Sequence, residues 1–430
     1  LYCAQKAWCN WTCPLHNSIP DFIRLVNEGK IIEAAELCHQ SSSLPEICGR
    51  VCPQDRLCEG ACTLKNEGGP VAIGNLERYI TDTALAMGWR PTVSEVAPRQ
   101  ERVAVIGAGP AGLGCADILV RAGVHVDVFD RHPEIGGLLT FGIPPFKLDK
   151  NVLERRREIF SAMGINFHLN QEVGRDVAFD DLLKNYDAVF LGVGTYGLMA
   201  AGLEGETAPG VIQALPFLIA STREVMGLEE SAEYPLTDIK GKSVVVLGGG
   251  DTAMDCLRTA VRRGAESVTC AYRRDELSMP GSKKEVVNAR EEGVKFEFNV
   301  QPQRIQLNRK GQVSAVEMIR TKMGEPGPDG RRRPQPIPDS GFELKADILI
   351  MAFGFQAHDM PWLRGHGIKL DRWGQIMTGG KGRGTTQTSH DKIYAGGDAV
   401  TGADLVVTAM VTGRQAASEM LAQFRAREAV

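Results

Sequence analysis

Cysteine is the residue type whose spacing in this sequence points most directly to chemistry. Eight of the 11 cysteines precede residue 63, at Cys3, Cys9, Cys13, Cys38, Cys48, Cys52, Cys58 and Cys62. Thiolates three or four residues apart, in loops beside helices and before proline, are typical of iron-sulfur sites. Zinc also accepts four thiolates but is usually held by C-x2-C pairs, which this sequence lacks. We therefore predict iron-sulfur clusters, with zinc as the alternative.

A glycine pattern after a predicted strand indicates a first nucleotide site. Gly107, Gly109 and Gly112 follow the strand RVAVI and open the predicted helix AGLGCADILVRAG. Such glycines permit a tight turn and let backbone N–H groups approach a pyrophosphate at a helix N-terminus. Asp130 follows 23 residues after Gly107, where a carboxylate can accept hydrogen bonds from ribose hydroxyls. The pattern predicts a dinucleotide site, and the alternative is a strand–helix corner without a ligand.

The same pattern returns later in the chain with different surroundings. Its three positions are occupied by Gly248, Gly250 and Ala253, and a count of 23 residues from the first glycine reaches Ala271 instead of a carboxylate. Two arginines, Arg273 and Arg274, follow in the sequence CAYRR. Guanidinium groups bind a ribose 2′-phosphate through charge-assisted hydrogen bonds, whereas a carboxylate would repel it. We therefore predict NADPH at this second turn, the alternative being arginines that merely lie on the surface.

A segment near the C-terminus distinguishes the two sites. KIYAGGDAV, from Lys392 to Val400, places Asp398 after a predicted strand and two glycines. It resembles the C-terminal flavin signature of flavoproteins with two dinucleotide-binding domains, in which the Asp hydrogen-bonds to the ribityl chain. The resemblance implies FAD at the first turn, with NADPH exchanging at the second.

The bulk composition narrows the class of protein. The 430 residues are 43% hydrophobic and carry a net charge of −4, which is ordinary for a globular protein and provides no basic surface for nucleic acid. No apolar run reaches the roughly 18 residues of a membrane span. Cysteines used for metal indicate a reducing compartment, so we expect a cytoplasmic protein without nucleic-acid or membrane partners. Because the sequence begins at Leu1, we expect a longer natural chain, which leaves a targeting signal open.

The repeated strand–turn–helix pattern predicts the architecture. We expect a multi-domain chain, with an α-helical iron-sulfur domain followed by two Rossmann-like α/β dinucleotide-binding domains for FAD and NADPH. The predicted boundaries are 1–98 for the helical two-cluster domain, 99–236 with 355–430 for the FAD-binding domain, and 237–354 for the NADPH-binding domain. The segment TKMGEPGPDGRRRPQP is rich in glycine, proline and charge, so Arg331 to Arg333 are expected in a solvated loop, with partner binding as the alternative.

Long runs of the sequence carry a family resemblance. CPLHNSIPDFIRLVNEGKIIEAAELCHQ, CGRVCPQDRLCEGACTL and VVVLGGGDTAMDCLRTAVRRGAESVTCAYRRDE resemble the small (beta) subunit of bacterial NADPH-dependent glutamate synthase. The N-terminal region is also similar to the two-cluster domain of dihydropyrimidine dehydrogenase. The resemblance implies an electron-input subunit that oxidises NADPH on FAD and passes electrons through two 4Fe-4S clusters. Its partner would be the large (alpha) subunit, which makes L-glutamate from 2-oxoglutarate and glutamine.

The resemblance also implies ligands for the two clusters. One cluster would take Cys3, Cys9 and Cys62 with a fourth cysteine upstream of Leu1, although the Cys3-x5-Cys9 spacing is one residue longer than is usual in the family. The other cluster would take Cys13, Cys52, Cys58 and the carboxylate of Glu77, with Cys48 as a bystander. Spacing alone instead groups Cys48, Cys52, Cys58 and Cys62 as one quartet, so both assignments are kept.

The expected cofactor-binding residues extend beyond the glycines. At the FAD site they are Gly107, Gly109, Ala111, Gly112, Asp130, Arg131, Gly137, Leu138, Gly142, Ile143, Pro144, Val173, Gly397, Asp398 and Thr408. At the NADPH site they are Gly248, Gly250, Asp251, Thr252, Ala253, Arg273 and Arg274. Hydride and electron transfer need no general base, so no catalytic side chain is expected. The alternatives are a subunit of the same build that serves another reductase, such as a pyrimidine dehydrogenase, and a non-catalytic redox sensor.

Overall fold

A computed structural model of the chain describes residues 7–93, 95–327 and 332–428. Contacts between residues divide it into two compact units. The first comprises Leu1–Thr140, Pro145–Gly197 and Gln356–Val430, and the second comprises Phe141–Pro144 and Leu198–Phe355. Among the described residues, no helix is long and apolar enough to cross a membrane.

The first unit begins with a helical segment that carries most of the cysteines. Its helices are α1 (Trp8–Thr12), α2 (Ile19–Asn27), α3 (Ile31–Ser41), α4 (Pro45–Val51) and α5 (Ile73–Ala86), with a 3-10 turn at Thr63–Asn66. Gly29, at φ +76°, ends the predicted helical run between α2 and α3. Phe22, Ala35 and Ile80 form the core of this segment together with the buried Cys13 and Cys38.

The next part of the chain builds the first parallel sheet. Its elements are β1 (Arg102–Ile106), α6 (Pro110–Arg121), β2 (His125–Asp130), α7 (Leu138–Phe141), α8 (Lys150–Ala162), β3 (Ile165–Leu169), α9 (Phe179–Asn185), β4 (Ala188–Leu191) and β5 (Gly197–Leu198). Strand β1 lies between β2 and β4, and all of its interior side chains are buried, as expected for a strand covered on both faces.

The second unit contains a second parallel sheet and an antiparallel one. Its elements are β6 (Val211–Gln213), α10 (Ala214–Val225), β7 (Ser243–Leu247), α11 (Asp251–Arg262), β8 (Ser267–Tyr272), α12 (Lys283–Glu291), β9 (Lys295–Phe298), β10 (Val300–Leu307), β11 (Val313–Pro326), β12 (Arg332–Lys345), β13 (Ile348–Met351) and β14 (Phe355–Gln356). The parallel sheet has the order β6-β13-β7-β8-β9, and β10-β11-β12 form the antiparallel sheet.

The chain then returns to the first sheet. Strand β15 (Ile393–Ala395), helix α13 (Asp398–Thr401) and helix α14 (Val406–Glu428) complete the first unit, whose sheet has the order β15-β4-β1-β2-β3. Two parallel sheets preceded by a helical cysteine segment match the predicted fold class.

Two features of the predicted domain boundaries need correction. Strand β6 pairs in parallel with β13 of the second sheet, so residues 198–236 belong to the second unit and not to the predicted FAD domain. The helical segment and the first sheet share one unit instead of forming separate bodies. A buried bidentate ion pair joins them, with Arg156 Nε and Nη2 each 2.6 Å from a carboxylate oxygen of Glu46. Arg414 on α14 adds a hydrogen bond of 2.7 Å to the hydroxyl of Ser43.

Candidate functional site

The first glycine turn joins β1 to α6. Gly107 has φ +101°, and a side chain on it would overlap the carbonyl of Gly192. A side chain on Gly112 would overlap the carbonyl of Gly107, so helix and turn can pack only with glycine there. At Gly109, in contrast, an added Cβ would meet no atom within 4 Å. The uncapped N-terminus of α6 therefore faces open space, an arrangement that fits a bound pyrophosphate.

Asp130 ends β2 and holds this turn in place. One of its carboxylate oxygens accepts a hydrogen bond of 2.7 Å from the backbone N–H of Ala108, and the other accepts one of 2.8 Å from that of His132. Burial raises the pKa of the carboxyl, although these two hydrogen bonds oppose the shift. Each carboxylate oxygen has a second lone pair, so both can still accept a ribose hydroxyl. Sequence reasoning assigned Asp130 only to the ribose and missed its role in the turn.

Several other predicted FAD residues meet at the same turn. Gly136 N–H donates to the carbonyl of Ala108 at 2.7 Å, and a Cβ on Gly137, just before Leu138 at the start of α7, would lie 3.1 Å from Gly109 Cα. From the C-terminal segment, a Cβ on Gly397 would lie 2.9 Å from that of Ala111.

Asp398 follows Gly397 as the first residue of α13. Burial raises the pKa of its carboxyl to about 6. Thr408, in the first turn of α14, donates a hydrogen bond of 2.8 Å to the carbonyl of Leu405. Helix α14 starts at Val406, within the segment that follows Asp398 in the resembled flavin signature.

The remaining FAD residues are placed elsewhere. Val173 is buried in a core cluster with Ile106 and Phe129. The guanidinium of Arg131 lies over the ring of Tyr196, 4.4 Å from its centroid, and the ring of His358 lies 5.8 Å from that of Tyr196. Neither of those two aromatic residues was predicted. Gly142, Ile143 and Pro144 belong to Phe141–Pro144, which is grouped with the second unit.

The second glycine turn, between β7 and α11, repeats the first closely. Gly248 has φ +137°, and an added Cβ on Gly250 would meet no atom within 4 Å. The third position is the fully buried Ala253. Asp251 begins α11, followed by the half-buried Thr252, and accepts a hydrogen bond of 2.8 Å from Ser282 N–H.

Backbone register corrects the comparison between the two turns. Gly107 N–H donates to the carbonyl of Phe129, whereas Gly248 N–H donates to that of Ala271. Ala271 therefore corresponds to Phe129, and the structural counterpart of Asp130 is Tyr272. The predicted absence of a carboxylate still holds, because the Tyr272 hydroxyl instead donates a hydrogen bond of 2.9 Å to the Ser278 carbonyl.

A cavity of about 860 Å³ opens beside this turn within the second unit. Four arginines line it: Arg273, Arg274, Arg332 and Arg333. Arg274 Nε is buried and has no hydrogen-bond partner among the described residues. A buried donor in an arginine-lined cavity fits an anionic group such as a 2′-phosphate. Arg332 and Arg333 are exposed as predicted, but the prediction of a loop is wrong because both lie on β12. Arg331 lies outside the described residues.

A second cavity lies within the helical cysteine segment. Five of its lining residues can donate to metal: Cys13, Cys48, Cys52, Cys58 and Glu77. Burial raises the pKa of Cys58 to about 12 and that of Glu77 to about 8. Asn17 Nδ2 donates a hydrogen bond of 3.1 Å to the Glu77 carboxyl.

This donor set fits one cluster in which each ligand binds a different iron. Within the described part of the chain, no three Cys, His, Asp or Glu residues converge closely enough to hold a single metal ion. The cavity gathers the ligands implied by the family resemblance, and it includes Cys48 but not Cys62. Cys9 and Cys62 are partly buried, and Cys3 lies outside the described residues.

Comparisons with known proteins agree with this geometry. Residues 1–89 match the family described as dihydropyrimidine dehydrogenase domain II, 4Fe-4S cluster. Residues 64–196 and 101–413 match the pyridine nucleotide-disulphide oxidoreductase family. The glutamate synthase [NADPH] small chain of Escherichia coli (strain K12) is 62% identical over 96% of this chain and 88% of its own length. The chain belongs to the glutamate synthase small-chain family.

Relatives of this family differ in length and name. The putative oxidoreductase UacF of Escherichia coli (strain K12) is 76% identical over 99% of this chain, which spans only about two thirds, 66%, of that relative. The structure of Mycobacterium tuberculosis FprA in complex with NADPH has a TM-score of 0.64 at 18% identity, covering 77% of this chain and 86% of that one. This likeness supports the fold alone.

Membership of the glutamate synthase small-chain family confirms the predicted family and fold class. The cofactor classes named in the two matched family descriptions, a pyridine nucleotide and a 4Fe-4S cluster, are among those predicted. The individual binding residues and the number of clusters remain predictions.

Proposed function

We propose that this chain is an electron-input subunit that oxidises NADPH on FAD and passes electrons through two 4Fe-4S clusters to a large subunit. The observation that carries the proposal is the difference between two like glycine turns in one chain. The first turn is held by the carboxylate of Asp130 at the end of β2, whereas at the second turn the corresponding strand, β8, leads into a cavity lined by arginines. One chain thereby has a site suited to a resident flavin and another suited to an exchanging NADPH.

In this proposal, the protein residues bind and orient FAD and NADPH. The uncapped N-termini of α6 and α11 face the two pyrophosphates, and Asp130 binds the FAD ribose. Asp398 lies toward the flavin ribityl chain, and Arg273 and Arg274 select the 2′-phosphate. When bound, FAD accepts a hydride from NADPH and the clusters carry its two electrons one at a time. No side chain has to move a proton for that exchange.

The helical segment supplies the exit path. We assign Cys13, Cys52, Cys58 and Glu77 to one cluster, and Cys3, Cys9 and Cys62 to the other with a cysteine from upstream. The Glu46–Arg156 and Arg414–Ser43 contacts support a fixed distance between flavin and cluster, because they join the cysteine segment to the first sheet.

The proposed partner is the large (alpha) subunit of glutamate synthase, which would form L-glutamate from 2-oxoglutarate and glutamine in the cytoplasm. We propose no nucleic-acid or membrane partner. A second candidate is supported by the 76% identity to a longer putative oxidoreductase. In that case the same chain would deliver electrons from NADPH to a different reductase module.

Two assays test the proposal in sequence. The purified chain, with flavin and iron counted, should reduce an artificial dye with NADPH much faster than with NADH; no reduction would favour the non-catalytic alternative. The chain is then mixed with a glutamate synthase large subunit, glutamine and 2-oxoglutarate. Glutamate that forms only in the mixture supports the glutamate synthase role. Dye reduction without glutamate supports the second candidate, and glutamate formation by the chain alone contradicts both.

A further inference from the structure

The cavity beside the second glycine turn has two walls, and the proposed function uses only one of them. Arg273 and Arg274, which directly follow β8, form the first wall. The second wall comes from the β11–β12 hairpin, where Arg332 and Arg333 begin β12. These two arginines are at least 58 residues further along the chain, so no sequence pattern connects them with the first pair.

Hydrogen bonds to the backbone carbonyls of Arg273 and Arg274 fix the two walls relative to each other. The Arg273 carbonyl accepts a hydrogen bond of 2.9 Å from the Thr321 hydroxyl on β11. The Arg274 carbonyl accepts one of 3.0 Å from Asn299 N–H, next to β10. Because β12 pairs with β11 along most of its length, the hairpin is tied to the segment after β8. The fold therefore places the two arginine pairs on opposite walls of the same cavity.

The charge in this cavity is poorly compensated. Asp275 is the one acidic residue among those that line it, and its carboxylate accepts a hydrogen bond of 2.8 Å from Ser278 N–H. Elsewhere in the unit, arginines pair with glutamates at 2.6–2.8 Å: Arg258, Arg262, Arg290 and Arg304. For Arg273, Arg274 and Arg332, the described residues offer no carboxylate within ion-pair distance. Three guanidinium groups that line one cavity without a described carboxylate partner, in a chain of net charge −4, indicate an anionic ligand.

We infer that Arg332 and Arg333 form the second wall of the 2′-phosphate subsite, so that the phosphate is bound between two pairs of guanidinium groups. The inference rests on the proposed NADPH site and deepens it. A phosphate monoester has three terminal oxygens, which together can accept more hydrogen bonds than the two bidentate contacts that one arginine pair can make from a single wall. Ser278 and Gln301 add polar groups to the lining of the cavity, and Met323 and Pro334 are its apolar part.

Calorimetric titration of the full chain with two ligands tests this role. Adenosine 2′,5′-bisphosphate carries the 2′-phosphate and adenosine 5′-monophosphate lacks it. The test variant is Arg332→Gln/Arg333→Gln, and the control is Arg309→Gln/Lys310→Gln, which removes the same charge from the exposed β10–β11 turn of the same sheet. We expect the test variant to bind the bisphosphate about tenfold more weakly, with the monophosphate unchanged. The control should bind both ligands like the unmodified chain.

The other outcomes are also decisive. Unchanged bisphosphate affinity in the test variant, or an equal loss for both ligands, would overturn the inference. If Arg273→Gln/Arg274→Gln loses the preference while the hairpin variant keeps it, the inference fails and the NADPH site stands. If the unmodified chain does not prefer the bisphosphate, the proposed NADPH site itself fails.

Steady-state assays provide a second readout. The hairpin variant should have a higher KM for NADPH and an unchanged kcat, because Arg332 and Arg333 do not touch the nicotinamide end of NADPH.

Discussion

At the first glycine turn, β2 ends in Asp130, which is pinned by two backbone N–H groups, whereas at the second turn β8 ends in Tyr272 and continues into Arg273 and Arg274. The strand, the turn and the open space in front of the middle glycine are the same in both. The shared part binds what FAD and NADPH have in common, a pyrophosphate. Selection between FAD and NADPH therefore lies in the residues at and just after the ends of β2 and β8.

The largest effect is expected from the third glycine position, where the two turns differ in tolerance. Gly112→Ala places a methyl group on the carbonyl of Gly107, so it should destabilise the chain by about 3 kcal/mol or more and leave it without FAD. The matched change Ala253→Gly opens no clash and should cost about 1 kcal/mol through helix propensity. Thermal unfolding and the flavin content of the purified variants measure both. Equal effects would contradict the proposed difference in packing.

The next effect concerns the arginines after β8. Arg273→Gln/Arg274→Gln removes two charge-assisted hydrogen bonds to the 2′-phosphate, so the NADPH:NADH ratio of kcat/KM should fall about 100-fold. FAD content should not change, because the variant leaves the first turn intact. A retained preference for NADPH would show that other residues read the 2′-phosphate.

The buried carboxyl group of Asp398 predicts that the stability of the flavin-free chain depends on pH. Burial raises the pKa of Asp398 to about 6 in the folded chain. The folded chain therefore holds this proton more tightly than the unfolded chain, and the resulting stabilisation is complete below about pH 4 and lost as the pH rises through 6. In the flavin-free chain, Asp398→Asn should remove this component, which amounts to at most about 3 kcal/mol. Denaturant unfolding from pH 4 to 7 checks it, and identical profiles for both proteins would contradict it.

The smallest effect is expected at Asp130. In Asp130→Asn one oxygen becomes an NH2 group, which cannot accept from either Ala108 or His132 N–H. FAD affinity should fall about tenfold, while affinity for adenosine 2′,5′-bisphosphate at the second turn stays the same. Fluorescence titration of the flavin-free chain measures the first quantity and calorimetry the second. A loss at both turns would mean that Asp130 acts on the fold as a whole.

The sequence was a good guide where the repeat is local. Each glycine turn follows its strand and opens its helix as predicted, because the constraints involve neighbouring residues. The counterpart of Asp130 was misassigned because three residues connect α6 to β2 and four connect α11 to β8. Counting residues from the glycine cannot detect that extra residue. The hydrogen bond from Gly248 N–H to the Ala271 carbonyl reveals it.

Long-range pairing accounts for most of what the sequence could not reveal. Strand β6 has three residues, and only its pairing with β13 assigns it to the second sheet. The Gly- and Pro-rich segment before Arg332 was predicted as a loop, yet β11 and β12 extend into it because each strand completes the other. The cysteine cavity likewise joins residues from α4, from loops and from α5, so spacing alone could not place Cys13 and Glu77 beside Cys48, Cys52 and Cys58.

Simultaneous binding of both nucleotides tests the central claim, a resident flavin at one turn and an exchanging NADPH at the other. Equilibrium dialysis of the flavin-free chain against FAD and NADP+ together measures how much of each is bound. We predict one equivalent of each per chain, with neither displacing the other, and retention of FAD alone after gel filtration. Displacement of FAD by NADP+, or a second equivalent of FAD at the arginine-lined turn, would contradict the division between the two turns.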